Sequence, residues 1–378
     1  LTASWGADRA RLGAEASIVA RILVLNNFDL AVAYADVAAG RAPDHPLYGI
    51  NHFEQQGHAV EIVPYRRSRA LQRASAALRR FPIPLGDLDQ QASVIRAARR
   101  ADLIYCPSQN VAQLLAYLRA LRVLDRPIVW VVHHPVDTGR LRRARAPAIR
   151  ALLRGVDAYP ALSALVAGDL SRVAGSGART EPLSWGPDAG WYPAADGIGR
   201  GVIAAGRTNR DLDTFARAVA DTAVPAWIVC PERAAPLHNG SSTEIITRDL
   251  RYPELVALYA QARAIAIPLH VRWPWPINGL QSLLDALGMG KPVILTRNPW
   301  IDIDVERLGI GIWVAPGDVA GWRRAITRLD EEPELAAEMG RRARALVDSG
   351  ERTSARFARQ VMGIFDRVLR DRQRRRDR

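Results

Sequence analysis

The chain has 378 residues, 48% of them hydrophobic and 24% charged, which suits two globular domains and excludes a disordered or fibrous protein. No apolar run approaches the roughly 18–20 residues that cross a bilayer. The first twenty residues, with Asp8, Arg9, Arg11 and Glu15, lack the apolar stretch of a secretory leader, so a cytoplasmic protein is expected. Two cysteines, Cys106 and Cys230, each close an apolar run and indicate neither a disulfide framework nor a zinc site. The formal net charge of +13 is carried almost wholly by arginine, Lys291 being the only lysine, and it makes a polyanionic partner a candidate.

From Arg21 onward short apolar runs alternate with helical patterns, the signature of parallel sheets wrapped by helices. Strands are expected at 22–25, 60–63, 103–105 and 128–132. The alternation restarts at 202–205 and continues at 226–229, 244–246, 265–268, 293–295 and 312–314. Between the two sets, 185–197 is dense in Gly and Pro and can continue neither helix nor central strand. The expected organisation is therefore α/β, two Rossmann-like domains facing a central cleft. An extension covers 1–20, an N-terminal domain 21–186, a hinge 187–200, and a C-terminal domain 201–350. A helix and basic tail over 351–378 are expected to pack back toward the N-terminal domain, with the last charged residues frayed.

The segment 276–295 carries the most chemistry. Leu280, Leu283, Leu284 and Leu287 recur at helical spacing as one buried stripe, while Gln281, Ser282 and Asp285 fall on other faces. A helix opening near Asn278 and Gly279 offers free amides and a positive dipole end, and glycine there lets an anion approach the backbone. Asp285, one turn beyond Gln281, can accept two hydroxyl hydrogen bonds, as a ribose diol offers. Gly288, Gly290 and Pro292 then turn the chain into the next strand.

Residues 283–293 match the pattern of the donor helix in retaining glycosyltransferases of the GT-B fold, family 4, with Asp285 at its second acidic position. The first acidic position holds Ile277, and the aromatic and glycine positions hold Gly279 and Leu280. The chain also resembles that family at 202–211, a strand followed by Gly206 and Arg207, and at Trp185 to Asp188 with Trp191 to Pro193. The same holds at Ala315 to Asp318 and at Tyr252 to Tyr259, the helix near the nucleotide base. The resemblance implies transfer of a sugar, a hexose for preference, from a nucleoside diphosphate sugar (a UDP- or GDP-sugar) to an acceptor hydroxyl. Retention of configuration is implied as well, with no metal and no cofactor. Donor contacts are expected from Asn278, Gly279, Leu280, Gln281, Ser282 and Asp285. Arg207 is the first choice for neutralising the diphosphate, with Arg210 beside it.

On the N-terminal side, His133 and His134 close the strand at 128–132, and the resemblance gives His133 first, His134 as its rival, the position facing the donor sugar. Asn26 in the first loop, Tyr252, and His270 after 265–268 are further candidates, with Trp273 and Trp275 as stacking surfaces. Asp-x-Asp triplets start at Asp87, Asp211 and Asp302. None of the three is read as a metal site, and Asp302 and Asp304 look like a helix start, where acidic residues favour the macrodipole. Basic stretches at 66–80 and 140–154 suit an anionic inner-membrane face and lack the aromatics that nucleic-acid binding would interleave. A sugar-nucleotide epimerase or phosphorylase, or a non-catalytic nucleotide-sugar-binding protein, would fit the same architecture.

Overall fold

A strand covered on both faces must be apolar at consecutive positions, and four-residue apolar runs are what this sequence supplies. The computed structural model describes residues 18–78, 83–109, 111–136, 142–175, 179–193, 199–237, 240–271 and 278–378. In the N-terminal half the strands are β1 (Arg21–Val24), β2 (Ala59–Ile62), β3 (Leu103–Cys106) and β4 (Ile128–Trp130), followed by β5 (Tyr159–Ala161) and β6 (Thr180–Pro182). The first four form a parallel sheet in the order β2-β1-β3-β4. β5 and β6 pair with each other in parallel, and bridges from Val129 to Ala158 and Val132 to Ala161 attach them beside β4.

The C-terminal half holds β7 (Val202–Ala205), β8 (Ala226–Val229), β9 (Thr243–Ile246), β10 (Ala264–Ile267), β11 (Val293–Thr296) and β12 (Gly311–Val314). All are parallel, in the order β12-β11-β10-β7-β8-β9. Counted from β7 this is the doubly wound order 3-2-1-4-5-6, whose direction reverses between β7 and β10, where open α/β sheets bind their ligands. Every residue of β3, β7, β10 and β11 is buried, whereas the edge strand β9 is partly exposed. Both cysteines are buried free thiols. Two Rossmann-like domains result, as expected.

After β12 the chain is helical. Ser354–Arg376 runs across the N-terminal domain, where Phe365 meets Phe53 and Tyr105 edge to face. Its entry is pinned by two crossings. Ser354 N donates to Pro187 O, and a Cβ on Gly186 would fall 2.2 Å from Thr353 N, so only glycine lets the two strands of chain touch. The basic end does not fray: the helix continues to Arg376, and Arg372 and Arg376 both reach Asp125. A second expectation also fails. Asp302 and Asp304 precede a turn rather than a helix, with Asp304 accepting from Arg307 N and from the Trp313 indole. Asp87 and Asp211 do cap helices. Among the described residues, no helix is long and apolar enough to cross a membrane, and no group of three or more His, Cys, Asp or Glu could hold a metal ion.

Candidate active site

The helix Leu280–Met289 begins just after β10, at the carboxyl edge of the sheet. Gly279 caps it with φ +84° and no side-chain cap, and a Cβ there would lie 2.7 Å from Ile267 Cγ2. Glycine is thus demanded twice, by conformation and by space. The first amides of the helix have no intrahelical acceptor and carry the positive end of its dipole. At the other end Gly290 adopts φ +62°, and the Lys291 ammonium is spent on the carbonyls of Ala260 and Ala262, a structural use of the sole lysine.

This helix N-terminus opens onto a cavity of about 490 Å³ between the two domains. The N-terminal domain contributes Tyr48, His133, His134 and Leu162, and Trp185 comes from the start of the connecting segment. The C-terminal domain contributes the loop after β7, the helix Tyr252–Gln261, and residues 278–282 with Asp285. Of the residues expected at the site, Arg207, Arg210, His133, His134, Tyr252, Asn278, Gly279, Leu280, Gln281, Ser282 and Asp285 all line it. Two do not. Asn26 is buried just after β1, where its backbone exchanges hydrogen bonds with the Gln90 amide, and it does not line the cleft cavity. His270 turns to Asp211, 3.7 Å away, and its backbone pairs with Asn209. Trp273, Trp275 and Ile277 lie outside the described residues.

The two arginines separate clearly. Arg207 extends into solvent and pairs with Asp249 at 2.7 Å, not with Asp211 or Asp213. Arg210 folds back over Gly206, whose missing side chain leaves room for the guanidinium. Its partners are all neutral: Ala205 O at 3.2 Å, Thr208 O at 3.2 Å and Ser282 Oγ at 2.9 Å. Among the described residues it forms no ion pair. A planar cation fixed by three neutral acceptors beside a helix N-terminus, its charge felt by the Asp285 carboxyl but bonded to no carboxylate among the described residues, suits an anion.

Asp285 is buried, and burial pushes its carboxyl up to about 6, against the lowering effect of the Tyr192 and Tyr252 hydroxyls and of Arg210. Both hydroxyls donate to Oδ1, Tyr192 from 2.6 Å. The diol-like pair of donors expected on Asp285 is therefore already present in the protein, on one oxygen. No described residue donates to Oδ2. His45 of the N-terminal domain approaches Oδ1 at 3.9 Å, but burial holds its imidazole down to about 4, so at neutral pH this is no ion pair.

His133 and His134 are also held down to about 4 by burial. The neutral His133 ring places Nε2 2.7 Å from Pro107 O. A carbonyl only accepts, so Nε2 carries the proton and Nδ1 is left as an acceptor. Gln109 Oε1 accepts from both backbone amides, His133 and His134, and fixes this turn.

Sequence reasoning missed His45 and Tyr48, and gave Tyr192 and Tyr259 no individual contact, although the run Trp191 to Pro193 had marked the hinge and Tyr252 to Tyr259 the helix near the base. His45 stacks near Tyr192 and Tyr48 stacks on Trp185, contacts across more than a hundred residues that no local pattern signals.

A doubly wound C-terminal sheet, a second parallel sheet in the N-terminal half and a cleft between them define a protein of two Rossmann-like domains. Solved structures agree on the fold. Anabaena HepE in complex with UDP and glucose is 15% identical, with 92% of this chain and 99% of that one covered and a TM-score of 0.61. Sucrose-phosphate synthase from Thermosynechococcus elongatus is 15% identical, with coverage of 93% and 100% and a TM-score of 0.65. An α,α-trehalose-phosphate synthase (UDP-forming) from Burkholderia vietnamiensis is 14% identical, with coverage of 94% and 99% and a TM-score of 0.61. Residues 48–184 match the family model described as Glycosyltransferase Family 4. No curated protein sequence matches it.

Proposed function

We propose that the protein transfers a hexose from a UDP-sugar to an acceptor hydroxyl with retention of configuration, without a metal ion. The observation that carries the reading is Arg210, which forms no ion pair among the described residues and is held against Ser282 at the N-terminus of the Leu280–Met289 helix. The diphosphate would sit on this guanidinium and on the amides of Leu280 to Ser282, where preorganised donors oppose the charge that grows as the sugar departs. Asn278 and Gln281 would border the sugar and the phosphates. The ribose would approach Asp285 through Oδ2, with the base against the helix that starts at Tyr252. Nδ1 of His133 would accept from a hydroxyl of the transferred sugar. Arg207, freed from Asp249, would reach the outer phosphate oxygens.

UDP rather than GDP is favoured by the relatives in which UDP is named, HepE and the UDP-forming synthase. The basic helices Arg69–Leu78 and Arg142–Arg154 would hold the enzyme at the inner face of an anionic membrane. The test is donor turnover with product analysis. Release of UDP from a UDP-hexose, faster with an acceptor and yielding a product with the donor's anomeric configuration, is expected. An epimerised or phosphorolysed product, or nucleotide binding with no turnover under any acceptor, would contradict it.

A further inference from the structure

Away from the cleft a second cavity, of about 600 Å³, opens where the helix Ser354–Arg376 lies across the N-terminal domain. Seven arginines and three aspartates line it. The carboxylates are already engaged. Asp157 accepts from Arg119 at 3.1 Å, Asp371 pairs with Arg179, and Asp125 is shared between Arg372 at 2.6 Å and Arg376 at 3.0 Å. Arg150, Arg154 and Arg375 are exposed and form no ion pair among the described residues. Their charges therefore face one concave surface with nothing to balance them.

The wall itself holds unanswered donors. Tyr159 is 3% exposed, and its hydroxyl has no hydrogen-bond partner; the same is true of Arg372 Nε. Buried polar atoms are rarely left so unless a ligand or water completes them. Arg150 and Arg154 stand one turn apart on the helix Arg142–Arg154, so they share a face, and Arg375 comes from the crossing helix. A ligand touching all three would fasten that helix to the N-terminal domain.

We propose that this cavity is a second anion site, which takes a compact phosphate or diphosphate group through Arg150, Arg154 and Arg375, with Tyr159 as a further donor. Guanidinium forks match phosphate oxygens two at a time. The site is independent of the transfer reaction. Its ligand is either a soluble phosphorylated compound or the headgroup of a phospholipid.

The full chain is titrated calorimetrically with inorganic pyrophosphate and, separately, sedimented with phosphatidylglycerol vesicles. Three proteins are compared: the unaltered one, Arg150→Ala/Arg154→Ala/Arg375→Ala, and Arg210→Ala, which removes the cleft cation. Binding that survives Arg210→Ala and weakens about tenfold or more in the triple variant is expected, since charge-assisted contacts to phosphate are the strong ones. Tyr159→Phe, which keeps the packing, should weaken it about threefold on the same grounds. Vesicle binding alone with the same arginine dependence supports the site and assigns the phosphate to lipid. Binding equal in the unaltered and triple-variant proteins, or absent with both probes, overturns the proposal.

Discussion

The Tyr192 hydroxyl lies 2.6 Å from Oδ1 of Asp285, 93 residues further along the chain. The segment joining the two sheets is thereby anchored on the helix that faces the cleft. Gly288 makes this approach feasible, because a Cβ there would fall 2.4 Å from the Tyr192 ring. At pH 7 and above the carboxylate is mostly ionised, so Tyr192→Phe removes a hydrogen bond to a charged group and should cost about 1.5–3 kcal/mol of stability. Urea denaturation of the variant reads this directly. An unchanged midpoint would mean that the anchor contributes nothing.

Asp285 also bears on the donor. If Oδ2 accepts a ribose hydroxyl, Asp285→Ala should weaken UDP binding about ten- to a hundredfold. In the unaltered protein, affinity should fall as pH drops through about 6, where the carboxyl takes up its proton. Calorimetry of UDP binding between pH 5 and 8, values chosen to bracket roughly that pKa, checks both. Affinity that is flat across this range would remove Asp285 from the donor site.

The two arginines after β7 should behave differently, although they are three residues apart. Arg210 is fixed over Gly206 and against Ser282, whereas Arg207 is exposed to solvent and screened by Asp249. Arg210→Ala should lower turnover by about 10²–10³, the range seen when one preorganised charge-stabilising donor is lost. Arg207→Ala should change it less than about fivefold, in keeping with an exposed ion pair worth about 1 kcal/mol or less. Steady-state release of UDP decides, and the reverse order would restore Arg207 to first place.

Much of this was legible from the sequence, for a physical reason. Buried parallel strands announce themselves as apolar runs, so β7 and β8 fall where expected, and the others of the main sheets lie within two residues. β5 and β6 escaped because each is three residues long and contains a proline, Pro160 and Pro182, which argues against a central strand. The helix at 280–289 was readable because its leucine stripe, capping glycine and acid all sit within one local segment. What local reading cannot supply is the long-range partner: that Asp285 would be met by Tyr192 and Tyr252, or that Asn26 would be covered by Gln90.

Acid should unfold this protein early. His45, His133 and His134 are held down to about 4 by burial, while an unfolded histidine protonates near 6.5. Between those values the unfolded chain binds more protons, so stability is full above about 6.5 and is lost as pH falls toward 4. Asp285 acts in the opposite sense, its stabilisation being lost as pH rises from about 4 through 6. His58 adds to the first sense and His52, Asp188 and Asp302 to the second, and the three fully neutralised imidazoles leave the acid side the weaker. His45, fully buried, accounts for on the order of 3 kcal/mol of this. Urea midpoints should drop between pH 7 and pH 5 and drop less in His45→Gln. Equal midpoints at the two pH values would show that these rings are not buried neutral.

Gly279 offers the sharpest separation of backbone strain from steric exclusion. Its φ of +84° is shared in kind by Gly317 at +71°, but a Cβ on Gly317 meets nothing within 4 Å, whereas one on Gly279 runs into Ile267. Gly317→Ala should therefore cost only the conformational part, about 1 kcal/mol. Gly279→Ala adds the overpacking of a filled core, about 1–3 kcal/mol more. Because the clash lies under the first turn of the Leu280–Met289 helix, relief must come by shifting the amides proposed to hold the diphosphate. Gly279→Ala should accordingly lose UDP affinity as well as stability, while Gly317→Ala keeps its affinity. Equal stability losses, or a Gly279→Ala protein that binds UDP as tightly as the unaltered chain, would show that the position of this turn is not what the nucleotide reads.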